Sequence, residues 1–351
     1  MNKNEKTFVV LSPGFPANEA DTTCLPSQQL LIKAINKNSP WLNIVILSFR
    51  YPCLNATYRW NNNKVVVFGG LGKGKIFTFL TWFRVWKTLK QLSRDNGIAG
   101  ILSFWCGECA LVGKWFGQRH NIKHYTWISG QDAKKGNVYV KWIRPKPNEL
   151  IAMSDFLARE YYKNFLIRPA FIIPIGIAPE LYNSQQPERV IDVMGAGSLI
   201  PLKQYDLFVR VVKKLSFQFP AINAVIFGNG PEKKNLEALI AQHHLENNIS
   251  LSGVVDHPDL LGSMQQARVF LHTSSYEGFG AVCIEALYAG AQVVGFCRPM
   301  DKPINRWHIV GTEEEMCNKI QEILQNTHTS YQPELPFLMS ETAKEMMSLF
   351  D

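Results

Sequence analysis

The sequence predicts an α/β protein of two domains, each built on a mainly parallel sheet. Three observations carry this expectation. The chain has 351 residues, the length of two ordinary domains. Short runs rich in Val, Ile and Phe alternate with segments of helical apolar period, the order expected of βαβ units. A polar stretch carrying proline, YNSQQPE at 182–188, divides the chain near its middle.

In the first half, strands are expected at 7–11, 44–49, 64–68, 98–104, 124–128 and 149–153, with helices at 27–37, 76–93, 109–119 and 155–164. In the second half, strands are expected at 190–194, 224–227, 249–252, 269–272 and 292–296. Between them, Phe208, Val211, Val212 and Leu215 fall at helical spacing and form one apolar stripe. The domains are therefore drawn at 1–181 and 182–330. Residues 331–351 are read as a C-terminal helix packing back towards the N-terminal domain.

Hydrophobic residues make up 46% and charged residues 19%, which excludes a disordered chain. A net charge of +8 points to an anionic partner without choosing among phosphates, membranes and nucleic acid. The opening MNKNEKTFVVLSPGF has too short an apolar run for a signal peptide, and no window reaches bilayer length. A cytoplasmic protein with reduced thiols is expected. The seven cysteines include Cys106 and Cys109 in a CxxC, read as small residues packing at a strand-to-helix turn rather than a zinc or redox pair.

The chemistry concentrates in SSYEGFGAVCIEALYAGAQVVGF, residues 274–296. An apolar strand precedes it. Glu277 stands in the turn, followed by Gly278, Phe279 and Gly280, then a helix from about Ala281 to Ala289. Glycines let the backbone approach a ligand closely, and the first N–H groups of the helix make an anion site. Glu277 and Glu285 are eight positions apart, which on a helix is a rise of about 12 Å and a turn of roughly 80°. Such a pair cannot hold one small ion, but it can grip two ends of an elongated ligand through hydroxyl hydrogen bonds.

This segment resembles the Glu-x7-Glu signature of retaining glycosyltransferases of family four. The resemblance implies the GT-B fold, two facing Rossmann-like domains with a cleft between them. It also implies that Glu277 lies beside the donor sugar and Glu285 binds the nucleotide ribose. Backbone amides of Gly278, Phe279 and Gly280 would hold the sugar and diphosphate. GAGSLIPLK, residues 195–203, follows a strand and is similar to the family's phosphate turn. Gly197 and Lys203 match it, whereas Ser198 stands where the family has an arginine, and a hydroxyl does not replace that charge. FGNGPE and SGVVDHPDL continue the likeness through the second half.

In the first half, SPGFPANEADT looks like the family's glycine-bearing loop, and Gly14 matches its glycine. WISGQDAKKGN has Ser129 where the family commonly has a histidine, so that histidine's role is not carried over. Gln131 and Asp132 are named instead as acceptor-side, hydroxyl-binding residues, beside the alternative of a capped helix start. The resemblance implies transfer from a UDP- or GDP-sugar to a glycan or lipid-linked acceptor, as in polysaccharide synthesis, with retention of configuration.

No Asp-x-Asp pair is present, and Asp256 and Asp259 in DHPD read as a helix start, so no metal and no cofactor are expected. Lys203 and the helix start after Glu277 would then neutralise the leaving diphosphate, and the resemblance implies that Glu277, the other catalytic residue, orients the sugar and stabilises its positive character. Two other readings stay open: a nucleotide-sugar epimerase, and a catalytically silent sugar-nucleotide-binding protein. Finally, Phe79, Trp82, Phe83, Trp86 and Leu89 form one stripe of the helix at 76–94, and Arg84, Lys87, Gln91 and Arg94 another. This is either a buried helix with a solvated back or a surface helix touching anionic lipid at the inner face of a membrane. No nucleic-acid recognition motif accompanies it.

Overall fold

The computed structural model describes residues 6–70 and 74–351. The chain forms two compact units, one ending at Ile175 and joined by Met339–Asp351, the other Gly176–Leu338. The unit boundaries therefore precede the polar stretch at 182–188, and the C-terminal segment begins at Met339 rather than at residue 331.

The first unit runs β1 (Thr7–Gly14), α1 (Pro26–Asn38), β2 (Asn43–Tyr51), β3 (Asn55–Trp60), β4 (Asn63–Phe68), α2 (Lys75–Asp95) and β5 (Ile98–Phe104). It continues with α3 (Glu108–His120), β6 (His124–Ile128), α4 (Val138–Ile143), β7 (Leu150–Ala152), α5 (Asp155–Phe165) and β8 (Phe171–Ile172). The sheet order is β3-β4-β2-β1-β5-β6-β7-β8. All pairs are parallel except β3–β4. That hairpin is absent from the sequence reading. Asn61 and Asn62 make its turn at φ +45° and +65°, the left-handed pair that a two-residue hairpin needs and asparagine tolerates. One face of the sheet buries Val9, Leu11, Val45 and Leu47 against Val85 and Leu89 of α2 and Phe116 of α3.

The second unit runs β9 (Ile191–Ala196), α6 (Tyr205–Ser216), β10 (Ala224–Phe227), α7 (Lys233–Gln242), β11 (Ile249–Gly253) and α8 (His257–Gln265). Then come β12 (Ala267–His272), α9 (Ala281–Tyr288), β13 (Gln292–Gly295), β14 (Trp307–Ile309) and α10 (Glu313–Gln325). All pairs are parallel, in the order β11-β10-β9-β12-β13-β14. This is the doubly wound order, and its direction reverses between β9 and β12. In such sheets ligands bind beyond the carboxyl ends of the strands at that reversal. Phe208, Val211, Val212 and Leu215 of α6 are all buried, as their spacing predicts. The last helix, α11 (Met339–Ser348), belongs to the first unit, where Phe350 meets Phe8 edge-on at 4.8 Å.

Candidate functional site

The loops leaving β9 and β12 meet at the reversal of the second sheet. The β9 loop carries Gly197, Ser198 and Lys203, and it is fixed by its neighbours. Gly197 N donates to Phe227 O at 2.9 Å, and Leu199 N donates to Asn229 O at 3.0 Å. Only glycine fits at 228, where φ is +139° and a Cβ would lie 1.9 Å from Gly197 O. From the other side, Thr273 Oγ1 donates to Lys203 O at 2.6 Å, and Ser275 N donates to Leu202 O at 3.1 Å. These bonds hold the Lys203 turn against the loop that presents Glu277.

The two charged side chains pair directly: Lys203 Nζ lies 2.6 Å from Glu277 Oε2. Behind them His272, the last residue of β12, is buried with Nε2 3.6 Å from the same oxygen and 3.2 Å from Ser274 Oγ. Burial acts to raise the Glu277 pKa, but the His272 ring and the Lys203 ammonium outweigh it and hold the carboxyl at about 2. Glu277 is therefore a carboxylate at neutral pH and no source of protons. Sequence reasoning did not single out His272; its position as the terminal strand residue at the sheet reversal was the available signal.

Gly280 has φ +85° and opens α9, while Gly278 is buried in the turn before it. Phe279 is a core residue, its ring 5.9 Å from Phe337, so only its backbone faces the question of ligand binding. Glu285, in the body of α9, has Oε1 2.9 Å from Nε2 of His257, the first residue of α8. DHPD thus starts a helix, as its residues suggested, and it also supplies Glu285 with a partner that the spacing of glutamates did not reveal. Ser198 is exposed.

The remaining predicted residues lie in the first unit. Gly14 closes β1, is buried, and receives the Ser12 hydroxyl on its carbonyl. Gln131 is exposed, but Asp132 is buried and accepts a hydrogen bond from Ser129 N at 2.8 Å. Burial pushes the Asp132 carboxyl up to about 6. Its carboxylate caps the turn Gly130–Ala133, which is the alternative that the sequence left open. Cys106 and Cys109 are both buried, and burial pushes the Cys106 thiol up to about 12, so the CxxC is packing. Among the described residues no group of three or more His, Cys, Asp or Glu is placed to hold a metal ion.

Residues 183–334 match the family model described as "Glycosyl transferases group 1". The match spans the sheet reversal and both loops. Over that span the second unit is similar to group 1 glycosyltransferases.

Relatives of this domain extend beyond it. The gpi3 subunit of phosphatidylinositol N-acetylglucosaminyltransferase from Schizosaccharomyces pombe is 24% identical over 225 residues, covering 62% of this chain and 49% of that protein. The GtfA subunit of UDP-N-acetylglucosamine–peptide N-acetylglucosaminyltransferase from Streptococcus pneumoniae is 30% identical over 147 residues, covering 42% and 29%. The chain thus spans half or less of the length of these two curated relatives. A solved glycosyltransferase from Rickettsia africae shares the fold with a TM-score of 0.72 at 13% identity, covering 98% of both chains. The fold class is GT-B, built from two Rossmann-like units. No helix among the described residues is long and apolar enough to cross a membrane.

Proposed function

We propose that this chain transfers a sugar from a UDP- or GDP-sugar to a glycan or lipid-linked acceptor, with retention of configuration and without a metal. The observation that carries this reading is the Lys203–Glu277 pair at the reversal of a doubly wound sheet, directly before the glycine turn and start of α9. An ammonium and helix-start amides in one place suit a diphosphate, whose charge grows as the sugar leaves. A permanently ionised Glu277 suits the hydroxyls and developing positive charge of the sugar; it does not suit a general acid. In this scheme the leaving phosphate takes the acceptor's proton on the face from which it departs. Glu285, steadied by His257, would accept the ribose hydroxyls. UDP is favoured by the donor named for the pneumococcal relative, and lipid-linked acceptors by the phosphatidylinositol named for the yeast one. Gln131 in the first unit is the acceptor-side assignment, and contact of that unit with an anionic membrane is part of the proposal.

A panel of UDP- and GDP-sugars tests this by thermal shift and then by nucleotide release with saccharide and lipid acceptors. A rise in melting temperature with turnover is expected, and the anomeric configuration of the product, read by NMR, should match the donor's. Glu285→Ala should weaken nucleotide binding about tenfold, the loss of a hydrogen bond to a charged group. Stabilisation without turnover on any acceptor would make the protein a silent binder. No stabilisation by any nucleotide sugar would refute the reading.

A further inference from the structure

We propose that the first unit docks on an anionic lipid bilayer through one face made by the start of α2, by α3 and by α4. The sequence left α2 between a buried helix and a surface helix, and the structure splits its aromatic stripe. Leu89 is buried in the core and Trp82 and Trp86 are partly buried, whereas Phe79 and Phe83 are exposed, as is Ile76 one turn before them. Trp115 of α3, with Val138 and Trp142 of α4, extends the same apolar surface; together with Ile76, Phe79 and Phe83 they are between 48% and 77% exposed. Large aromatic side chains in water are costly on a lone unit, and a cluster of them marks a surface that is covered by something.

The three elements are joined, not merely alike. Phe79 and Trp82 of α2, Trp115 of α3 and Trp142 of α4 line one cavity of about 720 Å³, together with Arg144 and Lys146. Lys114, a buried lining residue, is held by Glu149 at 2.6 Å and by the Arg144 carbonyl at 2.7 Å. Charge names the occupant. Residues 75–94, 109–123 and 133–148 contain thirteen Lys or Arg and no Asp or Glu, more positive charge than the +8 of the whole chain. The rest of the chain is therefore net negative, and four of these cations, Lys114, Lys141, Arg144 and Lys146, line the cavity together with the aromatics. Indole and phenyl rings flanked by lysines and arginines suit the headgroup zone, where rings enter the boundary and cations meet lipid phosphates.

The face also reaches inward. Trp82 Nε1 donates to Glu108 Oε2 at 3.0 Å, and Arg50 pairs with the other Glu108 oxygen. Glu108 begins α3 just beyond the carboxyl end of β5, beside the reversal of the first sheet between β1 and β5. A docked α2 is thereby tied by one bond to Glu108, which a second bond ties to β2, at the end of the sheet where small molecules bind. This proposal deepens the membrane contact included in the proposed function, and it stands or falls separately from sugar transfer, because lipid binding needs no nucleotide.

The test is co-sedimentation of the full chain with vesicles of phosphatidylcholine, with and without phosphatidylglycerol, in the absence of any sugar nucleotide. Binding is expected only with the anionic lipid, and it should weaken with salt. Each basic residue at such a surface changes partitioning by about a factor of five, so Lys141→Ala/Arg144→Ala/Lys146→Ala should bind roughly a hundredfold more weakly. Phe79→Ser/Phe83→Ser/Trp142→Ser should lose binding while keeping its nucleotide-sugar hydrolysis. Brominated lipids should quench the unmodified protein's tryptophan emission, and Trp142→Phe should reduce that quenching, a readout that survives if the triple variants misfold. Equal affinity for neutral and anionic vesicles, absence of quenching, or capture by a DNA duplex but not by vesicles would overturn the assignment.

Discussion

Replacing Lys203 with methionine removes the ammonium while keeping most of the side chain's length and packing. In the folded protein this ammonium lies 2.6 Å from Glu277 Oε2, with side-chain exposures of only 19% and 25%. Together with His272 it lowers the Glu277 pKa from 4.5 to about 2, which corresponds to about 3 kcal/mol. Dividing that between the two neighbouring groups leaves about 1–2 kcal/mol for Lys203. Because the folded pKa is depressed, this stability is present above pH 4.5 and is lost as pH falls towards 2. Lys203→Met should therefore be destabilised by about 1–2 kcal/mol at neutral pH, with the gap from wild type closing in acid. For ligand, a hydrogen bond to a charged group is worth about 1.5–3 kcal/mol, and part of it is already used on Glu277. UDP or GDP should bind roughly tenfold more weakly. Urea denaturation at several pH values and titration calorimetry measure both effects. Unchanged stability together with an affinity within about twofold of wild type would refute the role given to this pair.

Other consequences are equally direct. Gly228→Ala would place a methyl 1.9 Å from Gly197 O at a φ of +139°, so it should cost more than about 2 kcal/mol in denaturation and disturb the Lys203 loop. Asp132 is the opposite case from Glu277: its folded pKa is raised to about 6, so the native state holds its proton longer and stability falls as pH rises from 3.8 through 6. Asp132→Asn, which keeps an oxygen to accept from Ser129, should flatten that fall by up to about 3 kcal/mol in pH-dependent urea melts. Thiol labelling of the native protein at mildly alkaline pH should reach exposed Cys53 quickly and buried Cys106 and Cys109 only after unfolding.

Periodicity and punctuation made most of the architecture legible. The stripe of α6 reads directly as a buried face, and the strand, glycine turn and helix around Glu277 follow in the order their residues require. The elements that escaped are those with weak local signals. β8 has two residues and β14 three, too few to show alternation, and each is held by a neighbouring strand. The β3–β4 hairpin did carry a signal in Asn61-Asn62, but its strand AsnAlaThrTyrArgTrp is half exposed at a sheet edge and lacks a continuous apolar run.

The sequence by itself determined the class of each unit and the chemistry available at the Glu277 turn, because both depend on neighbours within about ten residues. Which groups share one place was decided only by tertiary structure. Lys203 and Glu277 are 74 residues apart and meet because β9 and β12 adjoin at the sheet reversal, while His257 meets Glu285 across 28 residues. Tertiary packing also decided that Asp132 would cap a turn and that Phe79 and Phe83 would face outward. Burial is a property of what packs on a side chain, and α2 has more apolar surface than its sheet can cover.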